Sequence, residues 1–102
     1  MADHAVIVDF VYGKTDLEDL SVLEDQIIEA IDQNEAGEFD GNEIAVDGSE
    51  ATLYMYGPDA DRLFAAVKPV LDSSPFMRGA TVRLRYGPPE AGVREIVIRL
   101  PT

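Results

Sequence analysis

Apolar residues recur along this chain with two different spacings, and the order in which the spacings alternate constrains the fold more than any other feature. His4 to Tyr12 (HAVIVDFVY) is dense in β-branched and aromatic residues and reads as a buried strand. Leu17, Leu20, Leu23, Ile27 and Ile31 then recur at helical spacing, which predicts a helix to about Asp32 with Glu18, Asp25, Glu29 and Asp32 on its wet side. Short strands at Glu43–Val46 and Ala51–Tyr56 come next. A second helix follows, with Ala60, Leu63, Phe64, Val67 and Leu71 as its buried stripe. Gly79–Tyr86 and Val93–Leu100 read as the last two strands. The order strand, helix, strand, strand, helix, strand, strand predicts one α+β sandwich, a single domain over residues 1–102.

Local signals set the expected boundaries. Thr15 and Glu18 form a capping-box pattern, and Asp16 and Asp19 suit the dipole of a first helical turn. Glu38 to Asn42 reads as a polar loop. Asp47-Gly48 predicts a tight hairpin turn with both central residues at positive φ. Asp59 is the expected cap of the second helix, with Pro58 as an alternative start. Pro69 predicts a kink or an early end, because proline cannot donate the backbone hydrogen bond a helix interior needs. Gly87 to Gly92 reads as a wide hairpin loop.

Right-handed crossovers set the first and third strands side by side, expected here to run parallel. The second strand pairs with the third by hairpin, the fourth lies beside the first, and the fifth extends the sheet. The result is a ferredoxin-like βαββαβ sandwich with an additional C-terminal strand, in spatial order 5-4-1-3-2. Both helices cover one face and leave the other bare. Alternation sends Val6, Val8, Phe10 and Tyr12 toward the helices, with Val82, Leu84, Tyr86, Ile96, Ile98 and Leu100. The third strand allows either Leu53 and Met55 or Tyr54 and Tyr56 inward, and we place Leu53 and Met55 there. The bare face then carries Ile7, Val11, Tyr54, Tyr56 and Val97, with Asp9, Arg83, Arg85, Glu95 and Arg99 around them. Apolar area mixed with matched charge is the composition of an association surface.

The net charge is −12 and it is unevenly spread. Residues 1–61 hold one basic and seventeen acidic residues, whereas 62–102 hold seven basic and three acidic. An acidic surface of this kind repels duplex nucleic acid. It reads either as a solvated surface or as a docking face for a basic protein, centred on Glu38, Asp40, Glu43, Asp47 and Glu50. No apolar run is long enough to span a membrane. Met1 to His4 carry no signal-like segment, so a cytoplasmic protein that binds no membrane is expected.

Candidate chemistries are few. With no cysteine, thiolate metal sites and nucleophilic thiols are excluded. No serine sits in a nucleophile elbow and no glycine-rich phosphate loop occurs. Glu38, Asp40, Asn42, Glu43, Asp47 and Glu50 are oxygen donors, but they lack the glycine and terminal glutamate of a calcium loop, so no metal or other cofactor is expected. Tyr54 and Tyr56 near Arg83 and Arg85 suggest a base-stacking platform, against which stand the charge and the missing RNA-binding signature. Asp9 could serve as a general base beside these tyrosines; a cross-strand pair with Arg83 or Arg85 is the simpler account.

The run Gly37-Glu38-Phe39-Asp40-Gly41-Asn42-Glu43, with Tyr56-Gly57-Pro58-Asp59-Ala60-Asp61 and Arg85-Tyr86-Gly87-Pro88-Pro89, is similar to a family of small uncharacterised bacterial proteins with a ferredoxin-like domain. That resemblance implies a bacterial cytoplasmic origin and no activity, cofactor or catalytic residue. The sequence therefore points to a non-catalytic association module that forms a homodimer through its bare sheet face or fifth-strand edge. Two other readings stand beside it. One is an acidic inhibitor or immunity-type protein for a basic partner; the other is a small dimeric enzyme with a pocket near Asp9.

Overall fold

A computed structural model describes residues 3–14 and 16–101. Among them the chain forms strands β1 (His4–Val11), β2 (Glu38–Ile44), β3 (Glu50–Gly57), β4 (Thr81–Arg85) and β5 (Glu95–Arg99). Helices α1 (Glu18–Asn34) and α2 (Ala60–Asp72) lie between them, and a single 3-10 turn spans Pro75–Met77. The sheet order is β2-β3-β1-β4-β5, the expected ferredoxin-like α+β arrangement with its extra edge strand.

One relation within that order differs from expectation. β1 runs antiparallel to both β3 and β4, not parallel to β3. Each helical crossover skips a place in the sheet. The α1 crossover joins β1 to β2, and β3 returns between them antiparallel to both. Likewise β3 and β4 flank β1 and run in the same direction as each other.

Side-chain alternation determines which face the helices cover. Val6, Val8, Phe10, Leu53, Met55, Val82 and Leu84 share one core with Leu20, Leu23, Ile27, Ile31, Leu63, Val67 and Leu71. Leu53 and Met55 are fully buried there, the inward pair expected for the third strand. Burying a side chain of this size stabilises by about 1.5–3 kcal/mol, so this face carries most of the folding energy. Phe10, Tyr12 and Phe76 close one end of the core, with ring centroids 5.4–6.4 Å apart.

Several boundaries move. The capping-box pattern falls partly on Thr15, outside the described residues. The α1 start is instead held by Asp16, whose Oδ1 accepts from the Glu18 N–H at 2.9 Å. Leu17, expected in the buried stripe, precedes the helix and is exposed. At the other end Glu35 takes a left-handed conformation, and the Ala36 N–H reaches back to the Ile31 carbonyl at 3.1 Å. Glu38 to Asn42 is strand, not loop. A register shift between Phe39 and Gly41 breaks the period of two, so this strand does not alternate in sequence. The hairpin turn is also wider than expected. Gly48 alone has positive φ and donates to the Ala45 carbonyl at 2.8 Å, while Asp47 accepts from the Ser49 N–H and hydroxyl.

α2 is capped as expected, with Asp59 Oδ1 accepting from the N–H groups of Asp61 and Arg62. Pro69 does not end it; the helix continues to Asp72, with Pro69 on its exposed side and the Pro69 carbonyl accepting from Ser73 at 3.2 Å. β4 and β5 are shorter than expected, though single hydrogen bonds extend their neighbourhood at Tyr86–Arg94 and Leu100–Ala80. Gly37 and Gly57 bring β2 onto β3. A Cβ at Gly37 would sit 2.1 Å from the Tyr56 carbonyl oxygen, and one at Gly57 would sit 2.2 Å from the Ala36 oxygen.

Candidate interaction surface on the uncovered sheet face

Residues paired directly across a sheet point to the same side, so the strand registers write out the uncovered face row by row. One row reads Glu38, Tyr56, Ala5, Arg85, Glu95. The central row reads Gly41, Tyr54, Ile7, Arg83, Val97. The third reads Glu43, Thr52, Asp9, Thr81, Arg99. Val11 and Glu50 pair at the far end of β1.

All of the expected interface residues are therefore gathered on one surface. Their exposures differ. Ile7 is only 8% exposed, because its row neighbours Tyr54 and Arg83 flank it, whereas Val11 and Val97 are 70% and 61% exposed. Asp9 is held in place: Oδ1 accepts from the Thr52 hydroxyl at 2.7 Å and Oδ2 lies 3.3 Å from Arg83. Of the two arginines considered for Asp9, the contact goes to Arg83. Arg85 instead donates through Nε to the Gly87 carbonyl at 2.8 Å. The Arg83 Nε is buried without a partner. Burial raises the Tyr54 phenol above its ordinary pKa, and the Glu43 carboxylate adds to the effect.

The acidic candidates do not form the separate loop that the sequence suggested. Glu38, Glu43 and Glu50 lie in strand positions on this same face, Asp40 sits at the register shift, and Asp47 lies in the turn. Asn42 points to the other side, where its amide donates to Glu24 of α1. Among the described residues no three histidine, cysteine, aspartate or glutamate side chains gather as a metal site. Thr52, which donates to Asp9, is the member of this candidate surface that sequence reasoning missed. Its place between Ala51 and Leu53, in step with Tyr54 and Tyr56, was the available signal.

Beside Asp9 a hollow of about 390 Å³ opens at the β1 end of the face, lined in part by Glu50, Thr52, Arg78, Thr81 and Arg99. Tyr54 does not line it. With both Asp9 oxygens engaged, the carboxylate is anchored as a cross-strand link, an arrangement that orders the sheet more readily than it abstracts a proton.

The fold class is a ferredoxin-like α+β sandwich whose second sheet face is uncovered. No protein-family model matches the chain, and no curated protein matches it. Among the described residues, no helix is long and apolar enough to cross a membrane.

Proposed function

We propose that this chain is a non-catalytic cytoplasmic association module that pairs with a second copy of itself through the uncovered face of its sheet. One observation carries this reading. Tyr54, Ile7 and Val97 share the central row of a sheet face that the chain's own helices leave bare, with Arg83, held by Asp9, between Ile7 and Val97. Aromatic and arginine side chains around an apolar centre, with charge at the rim, match the make-up of protein interfaces. The β5 edge is a poorer route. Arg94 and Arg99 guard it, and charged edges resist strand addition.

Sedimentation equilibrium over a concentration series tests the proposal. The wild type is expected to move from monomer toward dimer. Tyr54→Glu and Val97→Lys are expected to stay monomeric with unchanged circular dichroism; Val97 is exposed enough that charge there leaves the fold intact. A wild type that remains monomeric throughout would overturn the reading.

The charge of residues 1–61 favours a second reading, an acidic inhibitor-type protein that binds a basic partner through α1 and the Glu38–Glu50 segment. A salt-sensitive basic protein co-purifying from the native host, lost on reversing Glu38 and Glu43, would support it over self-pairing.

A further inference from the structure

Building on the self-pairing reading, we infer that the second copy lies face to face with its two-fold axis parallel to β1, so that the acidic side of each sheet covers the basic side of the other. β1 is the middle strand of five. On the uncovered face the β2–β3 side carries Glu38, Glu43 and Glu50, and the β4–β5 side carries Arg83, Arg85 and Arg99 with Glu95. A two-fold axis between stacked sheets has two simple directions. An axis along the strands exchanges the β2 and β5 edges. An axis across them sets β2 on β2.

The rows distinguish the two. With the axis along β1, the central row meets its own reverse. Tyr54 then covers Arg83 of the second copy, Ile7 meets Ile7, and Val97 falls over Gly41, which has no side chain to oppose it. Tyrosine over guanidinium is a favourable cation–π contact. The flanking rows set Tyr56 over Arg85 and Glu43 over Arg99. Asp9 meets Asp9 at the axis, where each is already bound by its own Arg83 and Thr52. Glu38 opposes Glu95 at the same β2–β5 rim, a like-charge pair that offsets part of the Glu43–Arg99 attraction. The axis across the strands would set Tyr54 on Tyr54 and Val97 on Val97, but it would also stack Arg83 on Arg83 at the centre and Glu38 on Glu43 at one edge, and its one charge match would be Arg99 over Glu95.

Five strands about 4.8 Å apart and about 20 Å long give a footprint of about 500 Å² per copy. That is about 1,000 Å² in total, the lower limit for a specific interface, so the dimer is concentration-dependent.

Charge exchange tests the axis. Sedimentation velocity is run on wild type, Glu43→Arg, Arg99→Glu, the double variant, and an equimolar mixture of the two single variants. Both sites are exposed, and circular dichroism checks the fold. Each single variant is expected to weaken the dimer about tenfold or more. The double variant and the mixture, in which opposite charges face again, are expected to recover to within about threefold of wild type. A wild-type dimer indifferent to these exchanges, or single losses with no recovery, would overturn the axis and leave self-pairing standing. A monomeric wild type would overturn both.

Discussion

The two faces of this sheet are built from the same strands and differ in what covers them. The helix-covered face is closed: Val6, Val8, Leu53, Met55 and Val82 are sealed under α1 and α2. The opposite face is half-wet, and its side chains hold one another laterally, through Thr52 to Asp9 and Asp9 to Arg83. Alternation along a strand places Leu53 in the core and its neighbour Tyr54 on the bare surface. Core packing and the proposed association chemistry thus fall on alternate residues of the same strands.

The largest expected effect lies on the covered face. Leu53→Ala is expected to cost about 2–5 kcal/mol in chemical denaturation, because the site is fully buried and truncation leaves a cavity in the core. A loss under about 1 kcal/mol would mean that the helices do not seal this side. Gly37→Ala comes next, at about 1–3 kcal/mol, since its Cβ would strike the Tyr56 carbonyl where φ is already positive. On the bare face Asp9→Ala is expected to cost about 1 kcal/mol, because the ion pair is about four-tenths exposed and only the Thr52 hydrogen bond adds to it. A larger loss would move Asp9 from the surface to the framework.

The smallest expected effect is a pH dependence. The phenols of Tyr54 and Tyr86 are both raised, Tyr54 by burial and Tyr86 by its hydrogen bond to Asp61 at 2.5 Å. A raised pKa favours the neutral phenol in the fold. That stability is fully present below the unfolded tyrosine pKa and is lost as pH rises through the folded one. Thermal denaturation from neutral to strongly alkaline pH should therefore show a slight alkaline decline that Tyr86→Phe reduces. Equal declines in both proteins would place its origin elsewhere.

The covered face was legible in the sequence because burial imposes a strict period. His4 to Tyr12 and the Leu20, Leu23, Ile27, Ile31 stripe read directly as strand and helix, and the strand order followed from crossover rules. Strand direction between β1 and β3 was misread because adjacency and parallelism are separate consequences of a crossover. β2 was half hidden, since the shift at Asp40 breaks alternation and its residues are polar. That loss mattered most for the surface. With Glu38 to Asn42 taken as loop, the acidic cluster and the tyrosine face looked like two features; the structure sets Glu38 and Glu43 in the same rows as Tyr56 and Thr52 and leaves Asp40 at the register shift and Asp47 in the turn. Pro69 misled for a different reason. Prolines end helices in isolation, whereas the buried positions Val67 and Leu71 on either side hold this one to the core.

Nuclear magnetic resonance on dilution tests most directly whether the bare face is where two copies meet. The side-chain signals of Ile7, Tyr54 and Val97 are expected to shift between concentrated and dilute samples, while the methyls of Val8 and Leu53, one residue along the same strands, stay fixed. Spectra that are unchanged on dilution, or shifts confined to the outer surface of α1, would contradict it.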